Sequence, residues 1–159
     1  MVKQWLHRSY GKISEVTLDI KKGEVVKEFY RHDIKNKRDR QIKARDSFYH
    51  SFYRELTCLK RLKGAKHFPQ LIDYNKEDMW IKMTYCGTPS PVDKTPRDNK
   101  SELIPQAQKI LDTLQEKKIK YPYKKFMHMD KAKGLSYPFF TATNLHILDD
   151  VLYLIDFDP

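Results

Sequence analysis

The chain has 159 residues, of which 40% are hydrophobic and 33% charged, a composition that predicts a folded protein of one domain or two small lobes. It has no apolar run long enough to span a bilayer, no apolar signal-peptide core near the N-terminus and only two cysteines, so we expect a cytoplasmic protein without a disulfide framework. The net charge of +10 predicts an anionic partner, which can be nucleic acid, a phosphate compound, a membrane face or an acidic protein.

The first half of the chain predicts an antiparallel sheet and one helix. VTLDI alternates apolar and polar residues as a strand does, and Gly23 marks a hairpin turn into a second strand, EVVKEFY. Between residues 31 and 63 the spacing of the apolar residues changes from every second position to every third or fourth. This spacing predicts an amphipathic helix that ends at Lys63 and Gly64. FPQLIDY and MWIKMTY then predict two more strands, paired through the turn NKED.

The second half begins with a polar, proline-rich segment, CGTPSPVDKTPRDNK, which predicts a linker at residues 86 to 100. The apolar spacing in LIPQAQKILDTL predicts a second helix, with Pro105 tolerated in its first turn. Residues 118 to 136 are basic and aromatic and show no clear period. LHIL and VLYLI, joined by Asp149 and Asp150, predict a closing hairpin, so the fold class is α+β.

Four polar residues stand in apolar surroundings and are candidates for a site. Lys27 lies within VVKEF and Glu55 within FYRELTCLKRL, and such a lysine and glutamate can form an ion pair that directs the ammonium group toward phosphates. Asn144 precedes LHIL and Asp156 follows VLYLI. An amide oxygen beside a carboxylate can bind Mg²⁺, so these two residues predict a metal site.

Each of these residues also has an ordinary structural explanation. A strand lysine often keeps an edge strand soluble, and a helix glutamate is often only a surface charge. An asparagine before a strand and an aspartate after one often belong to turns. Their common order along the chain is what favours a shared site.

This ordered series resembles the protein-kinase-like fold, in particular the small atypical kinases and the kinases of lipopolysaccharide type. GEVVKEFY resembles the strand with the ATP-positioning lysine, and FYRELTCLKRL resembles the helix with its paired glutamate. MWIKMTYCG resembles the last strand of the small lobe and the hinge. TATNLHILDDVLYLIDFD resembles the catalytic-loop asparagine followed by the metal-binding Asp-Phe-Gly motif. The resemblance covers most of the chain.

The resemblance implies an architecture and a set of residue roles. The small lobe would be an antiparallel sheet with one helix at residues 1–85, followed by a hinge or linker at 86–100. A truncated helical large lobe, ending in a β-hairpin, would occupy residues 101–159. ATP would contact Gly11, Lys27, Glu55, Met83 and Tyr85, and Mg²⁺ would be bound by Asn144 and Asp156.

The chain departs from the family pattern at several points. Gly11 is the single glycine kept in the phosphate loop, because Glu15 stands where another would be expected. The catalytic aspartate would stand five residues before Asn144, where this chain has Phe139. Asp130, in the sequence HMD, is therefore the remaining candidate for the base. The activation segment and the substrate-binding helices of a full kinase are not found after the Asp-Phe pair.

These observations leave different functions open. The first is ATP- and Mg²⁺-dependent phosphotransfer to a hydroxyl acceptor, or a nucleotide-binding remnant of that activity. The second is an inactive pseudokinase that serves as a binding or structural module in a larger assembly, with an acidic protein held by the basic surface. A viral origin, which the compact lysine-rich chain suits, would place it in the host cytoplasm or the virion. Nucleic-acid binding is the third, supported by charge and by no recognisable motif.

Overall fold

The computed structural model describes residues 14–29, 38–89, 103–120, 127–130, 135–138 and 145–157. Its contacts divide the chain into two compact units. The first unit comprises Met1–Lys63 and Gln70–Tyr85, and the second comprises Gly64–Pro69 and Cys86–Pro159. Helices and antiparallel sheets occur together, so the α+β class predicted from the sequence is confirmed.

The first unit contains a four-stranded antiparallel sheet in the order β1-β2-β4-β3. Its strands are β1 (Ser14–Asp19), β2 (Glu24–Phe29), β3 (Leu71–Asn75) and β4 (Trp80–Thr84). The turn between β1 and β2 includes Gly23, whose φ of 63° lies in the left-handed region that glycine enters without a steric penalty. The predicted hairpin is therefore present, and β2 becomes an interior strand with a neighbour on each side.

Helix α1 (Arg38–Arg61) packs its apolar side chains in the first unit. Phe52, Leu56 and Leu59 are buried at the three- and four-residue spacing that predicted the helix. The ring of Phe52 meets that of Phe29 on β2 edge to face, with their centroids 5.5 Å apart. Burying side chains of this size stabilises the fold by about 1.5–3 kcal/mol each, which holds α1 on the sheet. The predicted start of the helix, near residue 31, lies outside the described residues.

The second unit contains one described helix and two small sheets, and is therefore richer in strands than the predicted helical lobe. Helix α2 (Leu103–Glu116) begins where the sequence predicted it and extends two residues beyond the predicted segment, and it buries Ala107, Ile110, Leu111 and Leu114. One sheet, in the order β5-β8-β9, contains β5 (Thr88–Pro89), β8 (Leu145–Leu148) and β9 (Val151–Leu154). The other pairs β6 (Met127–Asp130) with β7 (Leu135–Pro138), in the stretch whose sequence showed no clear period.

The closing hairpin is confirmed, and a side chain of α2 holds its turn. Asp149 and Asp150 both have positive φ, 50° and 62°, as the two central residues of a type I′ turn require. The side-chain amide of Gln106 donates to the backbone oxygen of Asp150 at 2.9 Å. The backbone N–H of Leu152 donates to Oε1 of Gln106 at 2.8 Å, so one glutamine holds the backbone where the turn enters β9.

Two sequence predictions need correction because distant partners decide the local structure. The predicted strand FPQLIDY begins only at Leu71, since Phe68 and Pro69 belong to the second unit. The predicted linker is structured at its beginning, where Thr88 pairs with Ile147 of β8. Neither described helix is long and apolar enough to cross a membrane.

Candidate functional site

An ion pair joins β2 to α1 inside the first unit. The ammonium group of Lys27 donates to Oε2 of Glu55 at 2.6 Å. The side chain of Lys27 is 13% exposed and that of Glu55 only 3%. Both charges are therefore largely removed from water, where a charge-assisted hydrogen bond holds its two groups more firmly than at the surface.

The position of β2 explains why this lysine is buried. Lys27 lies opposite Val16 of β1 and Ile81 of β4, so it occupies the middle of an interior strand. The explanation that it keeps an edge strand soluble is thereby excluded. Phe29, two residues further along, shares the sheet face of Lys27, as strand alternation requires. The Lys27 ammonium also lies 5.1 Å from the centroid of the Phe29 ring, a distance that permits a cation–π attraction.

A buried ion pair of this kind is a poor way to stabilise a sheet. The free energy of removing two charges from water roughly offsets their attraction, and an apolar pair of similar volume is often as stable or more stable. Packing alone therefore does not account for Lys27 and Glu55. The buried pair makes Lys27 and Glu55 the first residues to consider for a functional site in this unit.

Two of the predicted ATP contacts, Met83 and Tyr85, lie at the end of β4 and directly after it. Met83 is buried and pairs with Val25 of β2 and Leu71 of β3, so its side chain belongs to the interior of the first unit. Tyr85 is half-buried, and its backbone N–H donates to the oxygen of Gly23 at 2.8 Å. This bond attaches the chain leaving β4 to the turn between β1 and β2.

Asp156 lies in the second unit, two residues after β9, with its side chain half-buried. The next residue, Phe157, is fully buried, and its ring stacks on that of Phe68 at a centroid distance of 6.3 Å. This stacking anchors the backbone directly after Asp156, so the carboxylate is carried by a fixed segment. A magnesium site of the kinase type needs only one or two carboxylates beside phosphate oxygens and water, and Asp156 fits such a site.

The remaining candidates are placed only in part. Gly11, Asn144 and Phe139 lie outside the described residues. Asp130 is the last residue of β6, where it pairs with Leu135 of β7. Within the described parts of the chain, no three His, Cys, Asp or Glu side chains are grouped so that they could hold a metal ion.

The structure draws attention to one residue that sequence reasoning missed. His67 is buried in the second unit, and its ring nitrogen Nδ1 lies 2.8 Å from the backbone oxygen of Leu152. A single histidine between Lys66 and Phe68 has no ligand spacing and belongs to no motif. No signal in the sequence could have identified it, because its partner lies far away along the chain.

A scan against models of known protein families found none that matches this chain, and a search of curated proteins found no relative. The assignment of a function therefore depends on the residues and contacts described above.

Proposed function

We propose that this protein binds a nucleoside triphosphate and is a minimal kinase-like phosphotransferase dependent on ATP and Mg²⁺, or a nucleotide-binding remnant of one. The observation that carries the proposal is the buried pair of Lys27 and Glu55. An ammonium group has three N–H donors, so it can bind a carboxylate and phosphate oxygens together. Its attachment to Glu55 fixes its position before a ligand arrives, which lowers the entropy cost of binding.

Each residue has a separate task in this proposal. Lys27 binds phosphate oxygens, and Glu55 orients the ammonium group of Lys27. Asp156 is a ligand of Mg²⁺, together with Asn144 outside the described residues. Bound Mg·ATP supplies the γ-phosphoryl group for transfer to a hydroxyl acceptor. The order of these four residues along the chain, which resembles that of kinases, supports the assignment.

A thermal-shift titration with Mg·ATP tests the proposal. A ligand that binds only the native state stabilises it by about 2.7 kcal/mol at a concentration 100 times its Kd. We expect the melting temperature to rise with ATP in the presence of Mg²⁺ and to rise much less without it. The Asp156→Ala variant should lose the part of the shift that depends on Mg²⁺. An unchanged melting temperature at millimolar Mg·ATP would contradict the proposal.

The role of Lys27 needs a control that separates binding from stability. Lys27→Met alone leaves the carboxylate of Glu55 buried without its cation, so a weak response to ATP could reflect damage to the fold. The double variant Lys27→Met, Glu55→Met removes both charges and keeps similar side-chain volumes. It should remain folded and show no ATP-dependent shift. A double variant that responds to Mg·ATP like the wild type would rule out phosphate binding by Lys27.

The second candidate is an inactive pseudokinase that serves as a binding or structural module. The position of Asp130 favours it, because the backbone of this candidate base belongs to a β-ladder with β7. The expected base position is occupied by Phe139. Single-turnover incubation with γ-labelled ATP, comparing the wild type with Asp130→Asn, separates the two candidates. Equal and negligible loss of the labelled γ-phosphoryl group from ATP with both proteins supports the pseudokinase, whereas a loss that depends on Asp130 supports the enzyme.

A further inference from the structure

Helix α1 carries two tyrosine rings on its exposed side. Tyr49 is 53% exposed and Tyr53 is 46% exposed. They are four residues apart, so they lie on the same side of the helix and one turn from each other. The described parts of the chain expose two other large hydrophobic side chains, Ile20 after β1 and Ile72 in β3. Tyr49 and Tyr53 therefore form a pair, unlike the single exposed hydrophobic residues that any protein surface has.

The core of the first unit restrains the second ring of this pair. The ring of Tyr53 meets that of Phe52 edge to face, with their centroids 5.2 Å apart. Phe52 is fully buried, and it contacts Phe29 of β2 in the same way. A surface ring that rests against a fixed core ring has less conformational freedom to lose when it binds a partner.

The side of α1 that carries the tyrosines is positively charged. The whole helix contains seven basic and three acidic residues. Between Tyr49 and Arg61, where its side chains are described, Lys60 and Arg61 are exposed. The single carboxylate in that part, Glu55, is 3% exposed and bound to Lys27. Its charge is therefore neutralised on the buried side of the helix, and the exposed side keeps its positive potential.

The tyrosines continue into a row of residues that ends in a positioned ammonium group. Tyr49, Tyr53, Thr57 and Lys60 follow one another at steps of four, four and three residues, so they share one side of α1, and all four are exposed. We call these residues the α1 row. The ammonium group of Lys60 donates to the hydroxyl of Tyr74 at 3.2 Å and lies 4.5 Å from the centroid of its ring. These contacts hold the positive charge at one end of the row.

The combination of exposed rings and basic groups restricts the chemistry of a partner. An acidic protein surface supplies negative charge without flat rings, whereas a nucleic acid supplies a phosphate and a π-face in every nucleotide. The two tyrosines are about 6 Å apart along the helix. Successive bases of a double helix are only about 3.4 Å apart, and they cover one another's faces. The spacing of the tyrosines therefore suits separated bases, as in a single strand.

The hydroxyl groups of the row favour RNA over DNA. Tyr49, Tyr53 and Thr57 each carry a hydroxyl, which can both donate and accept a hydrogen bond. The ribose 2′-hydroxyl has the same two capacities, and it is the group by which a protein distinguishes RNA from DNA.

We propose that the α1 row binds single-stranded RNA, with two successive bases stacked on Tyr49 and Tyr53 and the phosphates bound by Lys60 and Arg61. This function goes beyond the nucleotide binding proposed above. Glu55 is buried and the row is exposed, so the two sites use different sides of α1. The failure of either proposal leaves the other standing.

Fluorescence anisotropy with labelled oligouridylate of about ten nucleotides tests the proposal. A duplex RNA and an oligodeoxyuridylate of the same length are the comparisons. We expect the oligouridylate to bind about tenfold more tightly than the duplex, because a duplex offers charge and no free base faces. Equal or tighter binding of the duplex would overturn the proposal. Equal binding of the oligodeoxyuridylate would overturn the assignment to RNA. Both comparisons use the wild type, so they decide the matter even if a variant fails to fold.

Two double variants separate the rings from their hydroxyl groups. Tyr49→Ala with Tyr53→Ala should lower the affinity for oligouridylate at least tenfold and leave its salt dependence unchanged, because stacking is lost and no phosphate contact is. Tyr49→Phe with Tyr53→Phe, the matched control, should keep the affinity for oligodeoxyuridylate and reduce the preference for RNA. Thermal denaturation shows whether each variant is folded. An alanine variant that is folded and binds oligouridylate like the wild type would overturn the proposal.

A charge variant and a polyanion distinguish RNA from an acidic protein as the partner. Lys60→Met should reduce the slope of log affinity against log salt concentration by about 0.7, the value for one phosphate of a single strand. Polyglutamate of similar charge should bind the wild type more weakly than oligouridylate, and it should bind the alanine variant equally well. If polyglutamate binds as tightly as oligouridylate and also loses affinity in the alanine variant, the row recognises an acidic chain and the proposal fails.

Discussion

The imidazole of His67 makes the stability of the second unit depend on pH. Burial lowers the pKa of His67 in the folded chain below its ordinary value of 6.5, so on acidification the unfolded chain binds a proton first. The stabilisation is full above about pH 6.5 and is lost as the pH falls through the folded pKa. The charged residues that line the same cavity of the second unit as His67 are Lys66, Lys109, Asp112, Glu116 and Lys117.

We therefore expect the free energy of unfolding to decrease between about pH 6.5 and 5, before most carboxylates titrate. Urea melts at three pH values in this range measure the slope. The chain has six histidines, and several of them can contribute to this slope. The informative quantity is therefore the difference in slope between the wild type and His67→Asn. The variant should show the shallower slope, because asparagine does not titrate. Equal slopes would mean that His67 has the same proton affinity in both states.

The pair of Lys27 and Glu55 makes a prediction about stability that is separate from nucleotide binding. Lys27→Met leaves a buried carboxylate without its cation and should lower the free energy of unfolding by about 3–5 kcal/mol. The double variant with Glu55→Met should recover most of that loss, because no charge then remains buried. Urea denaturation of the wild type, both single variants and the double variant gives the coupling energy. Additive losses would show that the contact at 2.6 Å does not couple the two residues energetically.

At the scale of the elements, the β8–β9 hairpin carries a turn whose second central residue, Asp150, stands where a type I′ turn favours glycine. Asp149 and Asp150 both adopt the left-handed conformation, for which Asn-Gly is the favoured pair in a type I′ turn. Replacing them by Asn and Gly should stabilise the protein by about 1 kcal/mol, since the strain and the repulsion of adjacent carboxylates are both removed. Thermal denaturation measures the gain. A loss of stability would indicate that the two carboxylates make favourable interactions elsewhere.

The short strand β5 depends on the absence of a side chain at Gly87. This residue has a φ of 92°, and a Cβ atom added to it would lie 1.9 Å from the backbone oxygen of Ile147. Gly87→Ala should therefore displace β5 from β8 and cost about 3 kcal/mol or more. Gly23→Ala is the matched control, because its φ of 63° is similar but no atom lies within 4 Å of the added carbon. The control should lose only about 1 kcal/mol, the cost of the backbone conformation alone. Similar losses in thermal denaturation would mean that β5 moves without penalty.

The elements that could be predicted are those whose sequence signals lie close together along the chain. Both helices and the two hairpins closed by tight turns show a period and a turn residue within a few positions, so their existence could be predicted. Strand β5 lies in a proline-rich segment and forms by pairing with β8, which is distant along the chain. The late start of β3 has the same kind of cause, since Phe68 stacks on the distant ring of Phe157.

For the candidate site, too, local features could be predicted and features that depend on distant contacts could not. Lys27 and Glu55 could be paired from the sequence because each stands in an apolar element of recognisable type. The interior position of the strand that carries Lys27 could not be predicted, because the order of strands in a sheet does not follow from the spacing of neighbouring residues. The burial of His67 could not be predicted for the same reason, since it depends on Leu152, which lies far away along the chain.

The whole molecule carries a net charge of +10, from 31 basic and 21 acidic residues. Such an excess attracts any polyanion through long-range electrostatics, without requiring a recognition surface. Basic side chains occur in both units, for example Lys60 beside Tyr74 in the first and Lys109 at the cavity of the second. Because the charge is distributed in this way, we expect contacts to a nucleic-acid backbone and none that read its sequence.

We expect random duplex DNA to bind at low salt, with an affinity that falls linearly with the logarithm of the salt concentration. The slope, about 0.9 per phosphate contacted, counts the phosphates neutralised. Fluorescence anisotropy between about 50 and 200 mM salt measures it, and polyglutamate of similar charge is the matched competitor. If charge alone is responsible, polyglutamate displaces the DNA and changing the base sequence has no effect. A preference for one base sequence, or binding that persists above about 200 mM salt, would contradict this expectation. Either result would mean that the basic residues form an organised nucleic-acid surface, and it would support nucleic-acid binding as the function of the protein.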